Sequence, residues 1–242
     1  MSRKMLLTLT VLVLASVTAV AASKQGVVLS QDGRTTVATK HASKVSTPYV
    51  GEPAGLTVIF NNLGTKYPDG VYWCCEGATI FGPANTLSGP EYWEAAGFVP
   101  STNISVRQIQ VAVGWVNYKA GEYTDVIVSL NADDGTGKPG AALKRWKTQI
   151  GGITFGSCCV VSTEHSAGIA VTAGTQYWVV VSTEKKSDIW AAWNVDDTKQ
   201  LSKDAILESF WCSGTATQCG KNNNKWASYM GYPGFAFAVF GK

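Results

Sequence analysis

From about residue 55 onward, apolar residues recur at every second position in short runs separated by Gly, Asn, Asp and Pro. The clearest case spans residues 105–115. There Ile109, Val111, Val113 and Trp115 share one face, and Gln108, Gln110 and Ala112 share the other. That is the pattern of a half-buried strand. Val126, Val128 and Leu130 repeat it, with Ile127 and Ser129 outward. Leu56-Thr57-Val58-Ile59-Phe60, closed by Asn61-Asn62-Leu63-Gly64, and Val71-Tyr72-Trp73-Cys74-Cys75 predict two earlier strands, and Phe98-Val99-Pro100 ends another. Tyr177-Trp178-Val179-Val180-Val181 reads as a buried strand. Residues 189–193, 207–212, 226–229 and 235–240 complete the set, and residues 131–140 are a dense turn signal. Only residues 204–210 have the character of a short helix. Many short strands between Gly-rich turns predict an all-β fold, here a single jelly-roll-like β-sandwich over residues 53–242. Phe235, Phe237 and Val239 alternate strictly, which places the last strand in the centre of a sheet or beside the first strand.

The start of the chain follows a different pattern. Arg3 and Lys4 precede an apolar stretch, Met5 to Val20, and small residues follow at Ala19-Val20-Ala21-Ala22-Ser23. Residues 1–22 therefore read as a cleaved secretory signal; the stretch is short for a membrane span and lacks a charged stop. Residues 23–52 are polar and read as a flexible arm or an irregular edge segment. About 220 residues remain after cleavage, enough for one large β domain or two small ones. The expected location is secreted or extracytoplasmic, with no membrane span once the signal is gone. Of 20 basic residues, Arg3 and Lys4 leave with the signal, so 18 face 17 acidic ones and the net charge is +1. Such a balance offers no field for nucleic acid.

Six cysteines, Cys74, Cys75, Cys158, Cys159, Cys212 and Cys219, lie beyond the signal. An even count in an exported chain predicts disulfides. Cys212 and Cys219 are expected to pair locally, for roughly 2–3 kcal/mol in the chain-entropy model. Neighbours on a strand point to opposite faces, so one member of each doublet can face inward. At least one bridge between the doublets is expected, worth about 4–5 kcal/mol. A four-thiolate zinc site fits poorly, because adjacent ligands lack the usual spacer.

The order of motifs resembles a family of exported bacterial domains, the choice-of-anchor domains of the R type. The matching residues are Ala96-Gly97-Phe98-Val99-Pro100, Ile109-Gln110-Val111-Ala112-Val113, Ser129-Leu130-Asn131-Ala132-Asp133 and Gly137-Lys138-Pro139-Gly140. Thr172-Ala173-Gly174-Thr175-Gln176-Tyr177-Trp178, Ala191-Ala192-Trp193-Asn194 and Phe235-Ala236-Phe237-Ala238-Val239 continue the match. The resemblance implies a secreted β-sandwich of unassigned activity, usually joined to a surface-sorting tail, and it hands over no catalytic residues. This chain departs from it in having no such tail after Phe240, and in its Cys212 to Cys219 segment.

Catalytic patterns are sparse. His41 and His165 are the two histidines, with no G-x-S-x-G elbow and no H-E-x-x-H pair. Glu91 with Glu94, Asp133 with Asp134, and Asp196 with Asp197 keep a carboxylate-dependent glycan hydrolase as a weak alternative. The Asp133-Asp134 loop also invites a calcium reading, yet it lacks alternating oxygen ligands and ends at Ala142 where an EF-hand needs Glu. No metal and no cofactor is expected.

Aromatic residues lead instead to binding. Trp190-Ala191-Ala192-Trp193-Asn194 puts its two indoles on opposite faces of a strand, one for the core and one for a ligand. Trp190 or Trp193 is the candidate stacking platform, with Asn194, Trp226 and Tyr229 as neighbours. Indole faces beside amides suit sugar rings, whose C–H faces stack and whose hydroxyls hydrogen-bond. The expectation is a non-enzymatic module that binds an extracellular polymer, foremost a glycan. The alternative is a structural or interaction protein of the cell envelope or matrix, with an envelope protein as partner and a sheet edge that accepts a strand.

Overall fold

The computed structural model describes residues 26–29, 36–39, 52–63, 76–84, 91–116, 124–150, 160–184, 187–196, 209–214, 226–228 and 234–242. The described residues form strands and turns, with no helix. Among the described residues fifteen strands form two sheets.

The smaller sheet has the order β10-β6-β15-β3, built from β3 (Thr57–Asn61), β6 (Ile104–Val111), β10 (Val161–Val171) and β15 (Phe237–Gly241). The larger sheet curls into a half-barrel. Its path begins with β2 (Thr36–Thr39), β1 (Gly26–Leu29), β4 (Glu76–Phe81) and β5 (Glu91–Phe98). It continues through β11 (Tyr177–Ser182) and β8 (Asp125–Asp133) to β9 (Pro139–Gln149). Four short strands branch from that path: β12 (Trp190–Asn194) pairs with β4 and with β7 (Val113–Trp115), β13 (Ser209–Gly214) with β5, and β14 (Trp226–Ser228) with β13. Neighbours run antiparallel except β1 and β4, which are parallel. Segments of the polar region 23–52 thus enter the sheet at its β2 end.

The main core lies between the sheets. Ile80, Phe98, Val128, Leu130, Val179, Val181 and Trp193 of the large sheet meet Val106, Ile109, Val111, Phe237 and Val239 of the small one. β11 has no alternation because both of its faces are covered. Tyr177, Val179 and Val181 join the main core, while Trp178 and Val180 join Trp93, Ala95 and Trp226 in a second cluster. β15 lies between β6 and β3, the central place that its apolar alternation predicts. Gly77 lets β4 approach β12: a Cβ there would sit 2.6 Å from the Trp193 carbonyl oxygen.

The apolar run at 105–115 is not one half-buried strand. β6 ends at Val111 in the small sheet, and β7 begins at Val113 in the large one. Ala112 carries the crossing: its N–H donates to the Ala236 carbonyl, and its carbonyl accepts from the Asn194 N–H. The face of Gln108, Gln110 and Ala112 is buried as well, and Ala112 clusters there with Leu63, Ala236 and Phe240. Alternation signals that two faces differ, not that one of them is wet.

Candidate functional site

The residues nominated from sequence sit in unlike places. Trp193 is 0 % exposed. Its ring stacks on Phe235 with centroids 4.9 Å apart and meets Phe237 edge-on at 6.1 Å. Its indole N–H donates to the Ala236 carbonyl at 2.9 Å. It is a core residue and presents no face to a ligand. Asn194 and Trp226 are buried too, the latter beside Trp93 and Trp178. Tyr229 lies outside the described residues. Trp190, on the opposite face of β12 from Trp193, stays half-buried. It continues a row across three strands in which Trp190 opposes Phe81 and Phe81 opposes Tyr92. Both ring pairs are 5.4 Å apart and tilted by 39° and 48°, so they make no flat strip.

The described acids of the nominated pairs are buried or hydrogen-bonded within the fold. Glu91 and Glu94 are buried and, three residues apart on β5, lie on opposite faces. Glu91 accepts the Trp93 indole N–H at 2.9 Å. Asp196 is buried and accepts from the Asn62 amide at 3.2 Å; Asp197 lies outside the described residues. Asp133 accepts the Gly135 N–H at 2.7 Å and the Trp178 indole N–H at 3.0 Å. Asp134 accepts the Thr136 N–H at 2.8 Å and hydroxyl at 2.7 Å. Both carboxylates serve a tight turn in which Gly135 and Gly137 take positive φ, of 87° and 79°. Among the described residues no three His, Cys, Asp or Glu side chains gather around a metal-sized space. His41, the His165 side chain, Cys74, Cys75, Cys158, Cys159, Cys219 and the Cys212 side chain lie outside the description.

Partial burial alone would raise the Asp134 pKa, but hydrogen bonds from the Thr136 hydroxyl and from the Thr136 and Lys138 amides outweigh it and hold it below its usual value. A depressed carboxylate contributes stability above its unfolded pKa of about 3.9 and loses it as pH falls through the lower folded value. Asp134→Asn keeps an acceptor without the charge. Urea melts from pH 6 to 2 should show the parent more stable than this variant near pH 6, with the gap closing below about pH 4. A gap that does not change with pH would show that the turn does not depend on the ionised carboxylate.

An open cleft remains, between the facing edges of β9 and β10. It measures about 570 Å³, and its walls carry Trp146, Thr148 and Gln149 of β9, Ser162 and Thr163 of β10, and Gln108 of β6. Trp146 packs one side against the main core and stays half-buried. Next to it, Lys147 reaches Asp125 at 3.0 Å and Glu184 at 3.1 Å. Those hydrogen bonds, Asp125 first, raise the Lys147 pKa and tie β9 to its neighbours. Thr163 holds β10 on β6 by accepting from the Ile109 N–H and donating to the Ile109 carbonyl, both at 3.3 Å. The cleft thus sets one indole beside two amides and several hydroxyls.

Sequence reasoning missed this place because it read neither β9 nor β10 as a strand. The available signal was an aromatic residue in a charged run, Lys144-Arg145-Trp146-Lys147. A large ring there has to find cover from elsewhere in the fold. Compared with known proteins, the chain matches no family model and no curated protein.

Proposed function

We propose that the protein is an exported, non-catalytic module that binds an extracellular glycan, and that the β9–β10 cleft is its binding site. The observation that carries this reading is Trp146 standing beside Gln108, Gln149, Ser162 and Thr163 in an open space of about 570 Å³. That volume falls in the roughly 300–1,000 Å³ range of small-ligand sites. The indole supplies an apolar face for the C–H side of a pyranose ring, and the amides and hydroxyls both donate and accept toward its hydroxyls. In this reading residues 1–22 are removed on export, and Cys212 pairs with Cys219 while the two doublets bridge one another. The domain is then a jelly-roll-like sandwich of the choice-of-anchor R kind. Peptide mass mapping without reduction reads the cysteine pairing directly.

The test is retention of the protein on soluble and insoluble polysaccharides, with Trp146→Ala and Trp190→Ala beside the parent. Trp146→Ala, still folded by circular dichroism, is expected to lose at least tenfold in affinity. Trp190→Ala is expected to change it less than threefold. Equal binding by parent and Trp146→Ala would remove the cleft from consideration, and loss only in Trp190→Ala would return the site to β12.

One observation favours assembly as a second reading. β9 ends the large-sheet path, and it exposes Ala141, Ala142 and Leu143, the last at 44 %. Exposed apolar residues on a long edge strand favour addition of another strand. A chain that binds no glycan but self-associates, and is made monomeric by Leu143→Lys, would establish this second role.

A further inference from the structure

The outer face of the small sheet holds polar atoms that the fold leaves unmatched. Gln110 is 0 % exposed. Neither its amide oxygen nor its amide nitrogen has a hydrogen-bond partner among the described residues. Ser162 stands directly opposite it on β10, and the Ser162 hydroxyl is likewise buried without a partner there. On its other side Gln110 faces Ala238 of β15. The cluster on that face consists of Leu63, Ala112, Ala236, Ala238 and Phe240, whose side chains neither donate nor accept. Native proteins pair nearly all buried amides and hydroxyls, because an unpaired one gives up its hydration for nothing. Gln110 does not itself line the cleft, but two of its neighbours do, and both are polar. Ser162 and Gln108 both line the cleft, and Gln108 opposes Phe240 on the same face of the sheet as Gln110.

We infer that Ser162 and Gln110 form the inner end of the cleft and select a neutral, hydroxyl-bearing sugar ring. This rests on the glycan reading of the cleft. Neighbouring sugar hydroxyls can donate to the Gln110 amide oxygen and accept from the Gln110 amide nitrogen and the Ser162 hydroxyl, which satisfies the three unmatched atoms together. Selection against acidic sugars follows from the surroundings. Neither Gln110 nor Ser162 carries a formal charge and the cluster beside them is apolar, while Lys147, the cation in the described lining of the cleft, is already paired with Asp125 and Glu184, so a carboxylate would be desolvated at the inner end without a free counter-ion.

The experiment uses the full chain with ¹⁵N-labelled glutamine side chains, titrated with neutral methyl pyranosides, the matching uronic acids, and glycerol. The Gln110 side-chain amide signals are expected to shift with the neutral pyranosides, and the uronic acids to bind at least tenfold more weakly. Gln110→Leu and Ser162→Ala are each expected to lose at least tenfold in affinity. Gln110→Leu should melt no lower than the parent, since it removes an unmatched amide from an apolar setting; a lower melting point means that the amide already has an internal partner and overturns the proposal. Pyranosides that bind through Trp146 while the Gln110 signals stay silent keep the glycan reading and sink the subsite. Signals that respond to glycerol with no pyranoside bound keep a polar subsite and sink the glycan reading. Silence toward every probe sinks both.

Discussion

Trp193→Ala is expected to destabilise the protein by about 3–5 kcal/mol, the range for deleting a buried aromatic side chain. The indole is wholly buried where β12 closes on the core, stacked on Phe235 and edge-on to Phe237. Alanine leaves a cavity between the two sheets, and it withdraws the indole N–H from the Ala236 carbonyl. The Ala236 N–H also donates to the Asn194 carbonyl, so the loss falls where the end of β12 meets the approach to β15. For a domain of this size the melting temperature should fall by on the order of 10 °C. Trp190→Ala, half-buried on the opposite face, should lower it far less. Thermal melts of the two variants followed by circular dichroism decide the matter. Similar melting points for both would mean that Trp193 is not the core residue described here.

Asn62→Ala is expected to cost about 2–4 kcal/mol, because one short side chain serves three partners. Its amide oxygen accepts the Phe237 N–H at 2.7 Å. Its amide nitrogen donates to the Phe235 carbonyl at 2.8 Å and to the Asp196 carboxylate at 3.2 Å. The backbone N–H of Asn62 adds a bond to the Phe237 carbonyl. The side chain therefore continues the β3–β15 ladder one step past the end of β3 and ties it to the segment after β12. Asn62→Asp should be worse near pH 7, since it removes the donor and sets a second carboxylate against buried Asp196. That extra cost should shrink as pH falls and one of the two acids takes a proton. Urea unfolding at pH 7 and pH 4 measures both effects. An Asn62→Ala chain within 0.5 kcal/mol of the parent, about the scatter expected of a surface substitution, would show that the backbone ladder holds without the side chain.

Much of the strand content was readable in the sequence, for a local reason. β3, β8, β11, β12 and β15 carry period-two, β-branched or aromatic patterns, and these act within a few residues. The turn between β8 and β9 was equally plain, although strand pairing confines it within the 131–140 signal: Asp133, Asp134, Gly135 and Gly137 fill its acceptor and positive-φ positions. β9 and β10 were not readable. β9 lies at a sheet edge with most of its side chains exposed, so burial imposes no alternation on it. In β10 an irregularity between Glu164 and Ile169 breaks the period.

The candidate site followed those omissions. Sequence spacing separated Trp190 from Trp193 onto two faces, because a strand alternates, but it did not say which face the second sheet would cover. Phe235 and Phe237, about forty residues further along the chain, decided that Trp193 is core. The same holds for Gln110, on a polar face that reads as exposed from its alternation but is wholly buried in the folded chain. It holds for Trp146, which joins Ser162 only where two strand edges come together. The sequence by itself determined strand chemistry and turn chemistry and narrowed the last strand to the centre of a sheet or a place beside the first strand, since each depends on backbone geometry and near neighbours. Tertiary structure alone decided which faces are covered and where the cleft opens, because both depend on which distant segments cover each sheet.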